Sequence, residues 1–210
     1  FKKKVKATQT DKNDKTVFLY TSNLDEQFGF VQKAKDRGYQ VLELNGPLIP
    51  HWIAKLEQLF ENVSFARVDS DTLDKLIEKD VEIPSILSKD DEEKLKPMFE
   101  GVVQKEKFTV QFESMDSKDA PIMITQPEFI RRMMEQQKLG GGGGFYGAFP
   151  ENYNLVVNSN HEKISDILGT KTKKSQERKI KQLTDIAMLS QGMLKGKELN
   201  AFIERSIELI

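Results

Sequence analysis

The chain is 210 residues long, 31% charged and 38% hydrophobic, with a formal net charge of −1. That length can bury a core in one large domain or two small ones, and the balanced charge argues against an electrostatically driven nucleic-acid binder, which carries a basic excess. Cysteine is absent, which excludes disulfides and Cys-based zinc sites and fits a reducing compartment. No apolar run approaches the roughly 20 residues of a membrane span.

Residues 1–15 are polar and lysine-rich, and predict a solvated turn or hairpin. The opening Phe1-Lys2-Lys3-Lys4 has neither an initiator Met nor the apolar core of a signal peptide, and reads as a chain cut from something longer. Residues 16–69 then alternate. Thr16 to Tyr20 is a β-branched and aromatic run, hence a strand. Asn23 is placed to cap a helix through Phe28, Val31 and Ala34 that Gly38 ends. Tyr39 to Leu44 gives a second strand. Pro50 opens a helix with Ile53, Leu56, Leu59 and Phe60 along its stripe, and Ser64 to Val68 gives a third strand. The β-α-β-α-β order predicts a small parallel sheet with covering helices.

A short helix at Leu73, Leu76 and Ile77 precedes Pro84, the best boundary in the chain. The expected division is an α/β unit over 1–80, a linker over 81–87 and a second domain over 88–210. Ser88, three residues before Asp91, resembles a helix start, and Pro97 either kinks that helix or begins another carrying Met98, Phe99, Val102 and Val103. Phe108 to Phe112 alternates as a half-buried strand should, and Ile122 to Thr125 is expected to pair with it. Pro127 opens a helix containing Phe129, Ile130, Met133 and Met134. Five glycines at 140–144 follow and read as a linker. A strand at Asn154 to Val157 and a helix through Ile164, Ile167 and Leu168 complete an α+β domain.

The C-terminal end is helical. Ile180, Leu183, Ala187 and Leu194 share one stripe, with Ile186 and Leu189 beside it, and Leu199, Phe202, Ile203, Ile207 and Ile210 form another. The short joint Lys195-Gly196 folds the two helices into an antiparallel hairpin.

Catalytic signals are weak. His51 and His161 are far apart and show no metal-ligand spacing. Gly142, Gly144 and Gly147 match GxGxxG formally, but a helix precedes them where a nucleotide site needs a strand. There is no GxxxxGK[ST], and no carboxylate pair stands out. Asn62-Val63-Ser64 matches a glycosylation sequon, of little weight in a cysteine-free chain.

Two features carry functional weight. A lone helical hairpin cannot cover both of its apolar stripes, and each large aliphatic side chain gains about 1.5–3 kcal/mol on full burial. Either the hairpin packs on its own domain, or two copies form a four-helix bundle across a two-fold axis. The second feature is the helix from Phe129 to Met134, whose methionines could serve as ordinary core or as an adaptable contact surface. Trp52, the only tryptophan, is flanked by His51 and Lys55 and fits a half-exposed contact residue.

In order and spacing these segments resemble the ninety-kilodalton heat-shock chaperone family, in its bacterial form. Thr16 to Tyr20, Arg37 to Leu42 and Ile49-Pro50-His51-Trp52 look like the last α/β piece of the family's middle domain. Met123 to Met133 resembles the strand and amphipathic helix of its C-terminal domain. Asn154 to His161 resembles its L-x-x-N-x-x-H stretch. Leu183 to Gly192, with Phe202-Ile203-Glu204-Arg205, is the most specific match.

The resemblance implies a homodimer joined by a four-helix bundle of the two final helices, with Ile180, Leu183, Ile186, Ala187, Leu189, Leu194, Leu199, Phe202, Ile203, Ile207 and Ile210 as the interface. It implies client contact at the tryptophan matching Trp52 and on the apolar face of the helix matching Phe129 and Met133, together with Ile130 and Met134. Gln136 and Gln137 depart from the family's common apolar residues there, and His51 and Lys55 replace other polar types.

The family's ATP and magnesium site lies in an N-terminal domain, and its catalytic arginine earlier in the middle domain. This stretch is therefore expected to hold no cofactor and to catalyse nothing by itself. The chain ends at Ile210 without an acidic EEVD-type tail, which favours a bacterial protein. The expected partners are a second copy and unfolded or partly folded proteins, with no nucleic acid and no membrane, in the cytoplasm. A purely structural dimerisation module without client contact is the alternative.

Overall fold

The structure, a computed structural model, describes residues 1–81, 83–139 and 151–208. The glycine tract at 140–144, Gly147 and Ile210 lie outside the described residues. The chain divides into two compact units, one of residues 1–82 and 125–151, the other of residues 83–124 and 152–210.

The first unit is built on three parallel strands, β1 (Thr16–Thr21), β2 (Val41–Glu43) and β3 (Val63–Arg67), in the order β2-β1-β3. β1 is buried along its whole length, as a central parallel strand covered on both faces must be. A one-turn helix α1 (Lys2–Val5), then α2 (Phe28–Asp36), α3 (Ile49–Leu59) and the short α4 (Leu73–Leu76) complete the β-α-β-α-β plan. Gly38 ends α2 with φ +78, a left-handed conformation that costs glycine little, and Pro50 sits in the first turn of α3.

The core of this unit gathers Phe18, Tyr20, Ile53, Val63 and Phe65 around Val5. The rings of Phe18 and Phe65 meet edge to face at 5.1 Å. Residues 1–15 are less solvated than their composition predicts. Val5 and Gln9 are fully buried, and the Gln9 side chain donates to the Val17 carbonyl and accepts from the Gln40 amide. Asn23 does not cap α2. Its Oδ1 accepts from the amides of Asp25 and Glu26, a local turn of the kind asparagine favours, and Gln27 takes the N-cap position.

Residues 125–151 contribute α6 (Glu128–Leu139) to this first unit. The chain therefore leaves the unit near residue 82, returns near 125 and leaves again near 151, a path more involved than the single cut at 81–87 expected from composition.

The second unit begins with α5 (Lys89–Glu100), capped by Ser88, whose Oγ accepts from the Asp91 amide at 3.2 Å. Pro97 lies inside this one helix. The strands β4 (Phe108–Glu113), β5 (Ile122–Thr125) and β6 (Tyr153–Asn158) form a sheet in the order β4-β6-β5. This corrects the expected pairing of 122–125 with 108–112. β6 lies between them, parallel to β4 from Phe108↔Tyr153 to Glu113↔Asn158. Leu155, Val156 and Val157 are fully buried, an apolar run suited to a central strand rather than an edge.

Helices α7 (Glu162–Leu168), α8 (Lys173–Ser190) and α9 (Gly196–Ile207) follow. Thr172 caps α8. Gly192 and Gly196, both at positive φ, bracket the joint to α9. The core includes Leu95, Phe99, Leu155, Ile164, Ile167 and Ile180. Among the described residues, no helix is long and apolar enough to cross a membrane.

Candidate functional site: an inverted helix and a helical hairpin

Successive residues of an α-helix are about 100° apart, so positions i, i+3, i+4 and i+7 share a side. In α6 those positions are Glu128, Arg131, Arg132 and Glu135. All four turn toward the first unit. Arg131 is only 3% exposed. Its Nη2 donates to the Tyr20 hydroxyl at 2.5 Å and to the Glu128 carboxylate, and its Nη1 donates to Glu135 at 2.6 Å. The guanidinium also lies 5.6 Å from the centre of the Tyr20 ring.

Arg132 donates to Glu57 of α3 at 2.8 Å, to the Phe65 carbonyl of β3 at 2.7 Å and to Glu128 at 2.7 Å. Burial pushes the Glu128 carboxyl up, but the two guanidinium groups beside it more than offset this and hold it below its ordinary value. Burial, with the Glu128 carboxylate second, holds the Tyr20 phenol above its ordinary value. The acid and the phenol thus keep their roles at neutral pH, one as a pure acceptor and the other as a neutral hydroxyl.

The consequence is an amphipathic helix docked by its charged side. Phe129 is 71% exposed, and Ile130, Met133 and Met134 are half-buried on the remaining arc. Trp52, on α3 of the same unit, is 63% exposed. The sequence singles out the apolar residues of α6, whereas the anchoring side is Glu128, Arg131, Arg132 and Glu135, whose i, i+3, i+4, i+7 spacing carries that signal.

In the second unit the residues expected at an interface fall into three sets. Ile180, Ala187 and Leu194 are buried in the unit's own core, and Leu183, Leu199 and Phe202 are half-buried against it. Ile186, Leu189, Ile203 and Ile207 are exposed, Ile203 at 46% and Ile207 at 67%. A polar seam fixes α9 on α8. Arg205 donates to Asp185 and to Gln182, both at 2.6 Å, and Gln182 donates to Ser206 at 2.9 Å.

No protein-family model matches the chain. Among curated proteins it is 32% identical over 273 aligned positions to the chaperone protein HtpG of Bacteroides fragilis strain 638R, with 98% of this chain and 40% of that protein covered. The HtpG of Bacteroides thetaiotaomicron matches at the same identity and coverage. The HtpG of Porphyromonas gingivalis strain ATCC 33277 is 40% identical over 168 positions, covering 79% of this chain and 25% of that protein. The chain belongs to the HtpG chaperone family. It spans about 40% of the length of the Bacteroides relatives it matches.

Within this HtpG-family chain, the L-x-x-N-x-x-H stretch has a structural task. Asn158 accepts from the amides of Met115 and Asn160. Asn160 donates to the carbonyls of Pro84 and Met115 and accepts from the Ile86 amide. His161 caps α7 by accepting from the Lys163 amide through Nδ1. These side chains satisfy backbone groups that the loops would otherwise leave unpaired. Among the described residues, no group of three His, Asp or Glu side chains could hold a metal ion.

Proposed function

We propose that this stretch is the dimerisation and client-contact portion of an ATP-dependent chaperone that binds and remodels unfolded or partly folded proteins. The observation that carries the reading is the apolar surface left uncovered on α8 and α9, at Ile186, Leu189, Ile203 and Ile207. Side chains of this size gain about 1.5–3 kcal/mol each on burial, and a second copy offering the same stripes covers them in a four-helix bundle. A permanent joint of that kind holds two ATPase arms at high effective concentration, so their closure becomes intramolecular.

The client surface is Trp52 together with the outward arc of α6, from Phe129 through Ile130 to Met133 and Met134. Aromatic rings and polarizable thioethers adapt to many apolar segments. ATP and magnesium chemistry belongs to parts of the parent protein outside this stretch, which on this reading turns nothing over by itself. The working location is the cytoplasm, as in a stress-response chaperone.

Light scattering across a concentration series tests the first half: a dimer is expected, and a monomer at high concentration removes it. Fluorescence titration with a permanently unfolded protein tests the second. Trp52→Ala and Phe129→Ala are expected to weaken binding, and unchanged affinity in both leaves a structural joint without client contact.

A further inference from the structure

The ionic anchor of α6 does more than attach a helix. A helix with an apolar stripe ordinarily turns that stripe inward. Here the order is reversed, and the inward side is ionic. Buried charges tolerate few alternative arrangements, because each needs its partner in place. Rotating α6 by one residue, about 100°, would take Arg131 away from the Tyr20 hydroxyl and Arg132 away from Glu57. The contacts reach well beyond the helix, to Tyr20 of β1, Glu57 of α3 and the Phe65 carbonyl of β3, so they define a rotational setting and not only an attachment.

Arg131 is the centre of this arrangement. It is the most buried of the four charged residues on that side, and it joins Tyr20, Glu128 and Glu135 at once. A further guanidinium, that of Arg67, comes within 3.5 Å of Glu135 and is itself held by Asp69. The cage is thus continuous with the ends of the sheet strands, and its geometry is inherited from the fold. We propose that Arg131 is a positioning residue that fixes the rotation of α6 and thereby presents the exposed Phe129, with the half-buried Met133 beside it, as a protein-binding surface. This rests on the client-contact reading above. Arg131 itself touches no client.

The test is a double-mutant cycle on the 210-residue chain, with reduced and carboxymethylated α-lactalbumin as the unfolded probe. Phe129→Ser removes a contact directly, and Arg131→Met removes only the anchor. Each alone is expected to weaken binding about tenfold, and the shortfall of the double variant from additivity measures the coupling of residues acting through one surface. Together they are expected to do little more than either alone. Arg131→Lys, which keeps the charge but not the fork, recovers part of the affinity. Amide exchange in residues 131–137 accelerates in Arg131→Met and stays slow in Phe129→Ser.

Normal binding by Arg131→Met beside a defective Phe129→Ser overturns the positioning role and leaves the client reading standing. Fully additive losses overturn it too. Normal binding by Phe129→Ser removes the client surface itself. Should Arg131→Met fail to fold, Tyr20→Phe deletes the hydroxyl's bonds to Arg131 and Glu128 while keeping the ring, and takes its place in the cycle with a smaller loss in the same direction.

Discussion

The Arg205 guanidinium on α9 reaches the Asp185 carboxylate on α8 at 2.6 Å, and Asp185 is 1% exposed. A buried carboxylate on a helix needs compensation, and this one has two cations, Arg205 and Lys181, the latter at 2.5 Å. Arg205 also lies 5.8 Å from the centre of the Phe202 ring, so one side chain sets both the register of the hairpin and the seat of an aromatic beside the exposed stripe. Removing one member of a buried pair costs about 3–5 kcal/mol because the other is left uncompensated. Arg205→Ala is expected near the low end, about 3 kcal/mol, since Lys181 remains. Urea unfolding gives the stability loss. Light scattering should show weaker self-association, because α9 no longer holds its stripe in register.

On the proposed dimer reading, the three burial sets in α8 and α9 separate folding from assembly. Ile203→Asp and Ile207→Asp place a charge where water already reaches, and are expected to yield a folded monomer. Ile180→Asp buries an unpaired carboxylate in the core of the second unit, and is expected to unfold that unit. Circular dichroism beside sedimentation distinguishes these outcomes. An Ile203→Asp, Ile207→Asp chain that still dimerises would mean that the interface lies elsewhere.

Docking of α6 has a pH signature. Glu128 is held below its ordinary value of 4.5 in the folded chain by Arg131 and Arg132. A depressed folded value means that the deprotonated form is favoured by folding, so its contribution is fully present above the unfolded value and is lost as pH falls through the folded one. Glu128→Gln mimics the protonated state. The difference in urea midpoint between wild type and Glu128→Gln is therefore expected to hold steady from about pH 7 to about pH 5 and to close below about 4.5. A difference that grows on acidification would contradict the anchoring geometry.

The three-stranded sheet of the first unit was legible because its signals are local. β-branched runs, Gly38 and Pro50 punctuate a β-α-β-α-β pattern whose strands follow in sequence. The pairing of β5 was not, since strand order depends on where the chain returns after residue 151, and alternation within 122–125 says nothing of its neighbour. The burial of Val5 and Gln9 was hidden by the lysines around them. The apolar residues of α6 were easy to find, yet the side of the helix that turns inward depends on Tyr20 and Glu57, more than 70 residues away in the chain. Sequence periodicity gives the faces of a helix but not which face a distant buried partner will claim.

That limit is sharpest at Asn160. As a sequence feature it belongs to a stretch ending in His161, which invites a chemical reading. In the fold it is 7% exposed, and its amide closes three loop contacts: the Pro84 carbonyl at 3.0 Å, the Met115 carbonyl at 3.1 Å and the Ile86 amide at 2.7 Å. Two of these belong to the segment by which the chain enters the second unit, residues 83–88. Asn160→Ala removes all three and leaves backbone groups without partners, each costing about 1–3 kcal/mol where water cannot replace the bond. Ile86 is an exposed residue, so water recovers part of the loss at its amide, and a net destabilisation of about 2–3 kcal/mol is expected. Asn160→Asp keeps the acceptor for Ile86 but loses both donors, and should cost a similar amount. His161→Ala removes only a helix cap and is expected to cost about 1 kcal/mol. Urea unfolding of the three variants orders them, and a His161→Ala loss exceeding that of Asn160→Ala would show that the histidine, and not the asparagine, holds this corner of the fold.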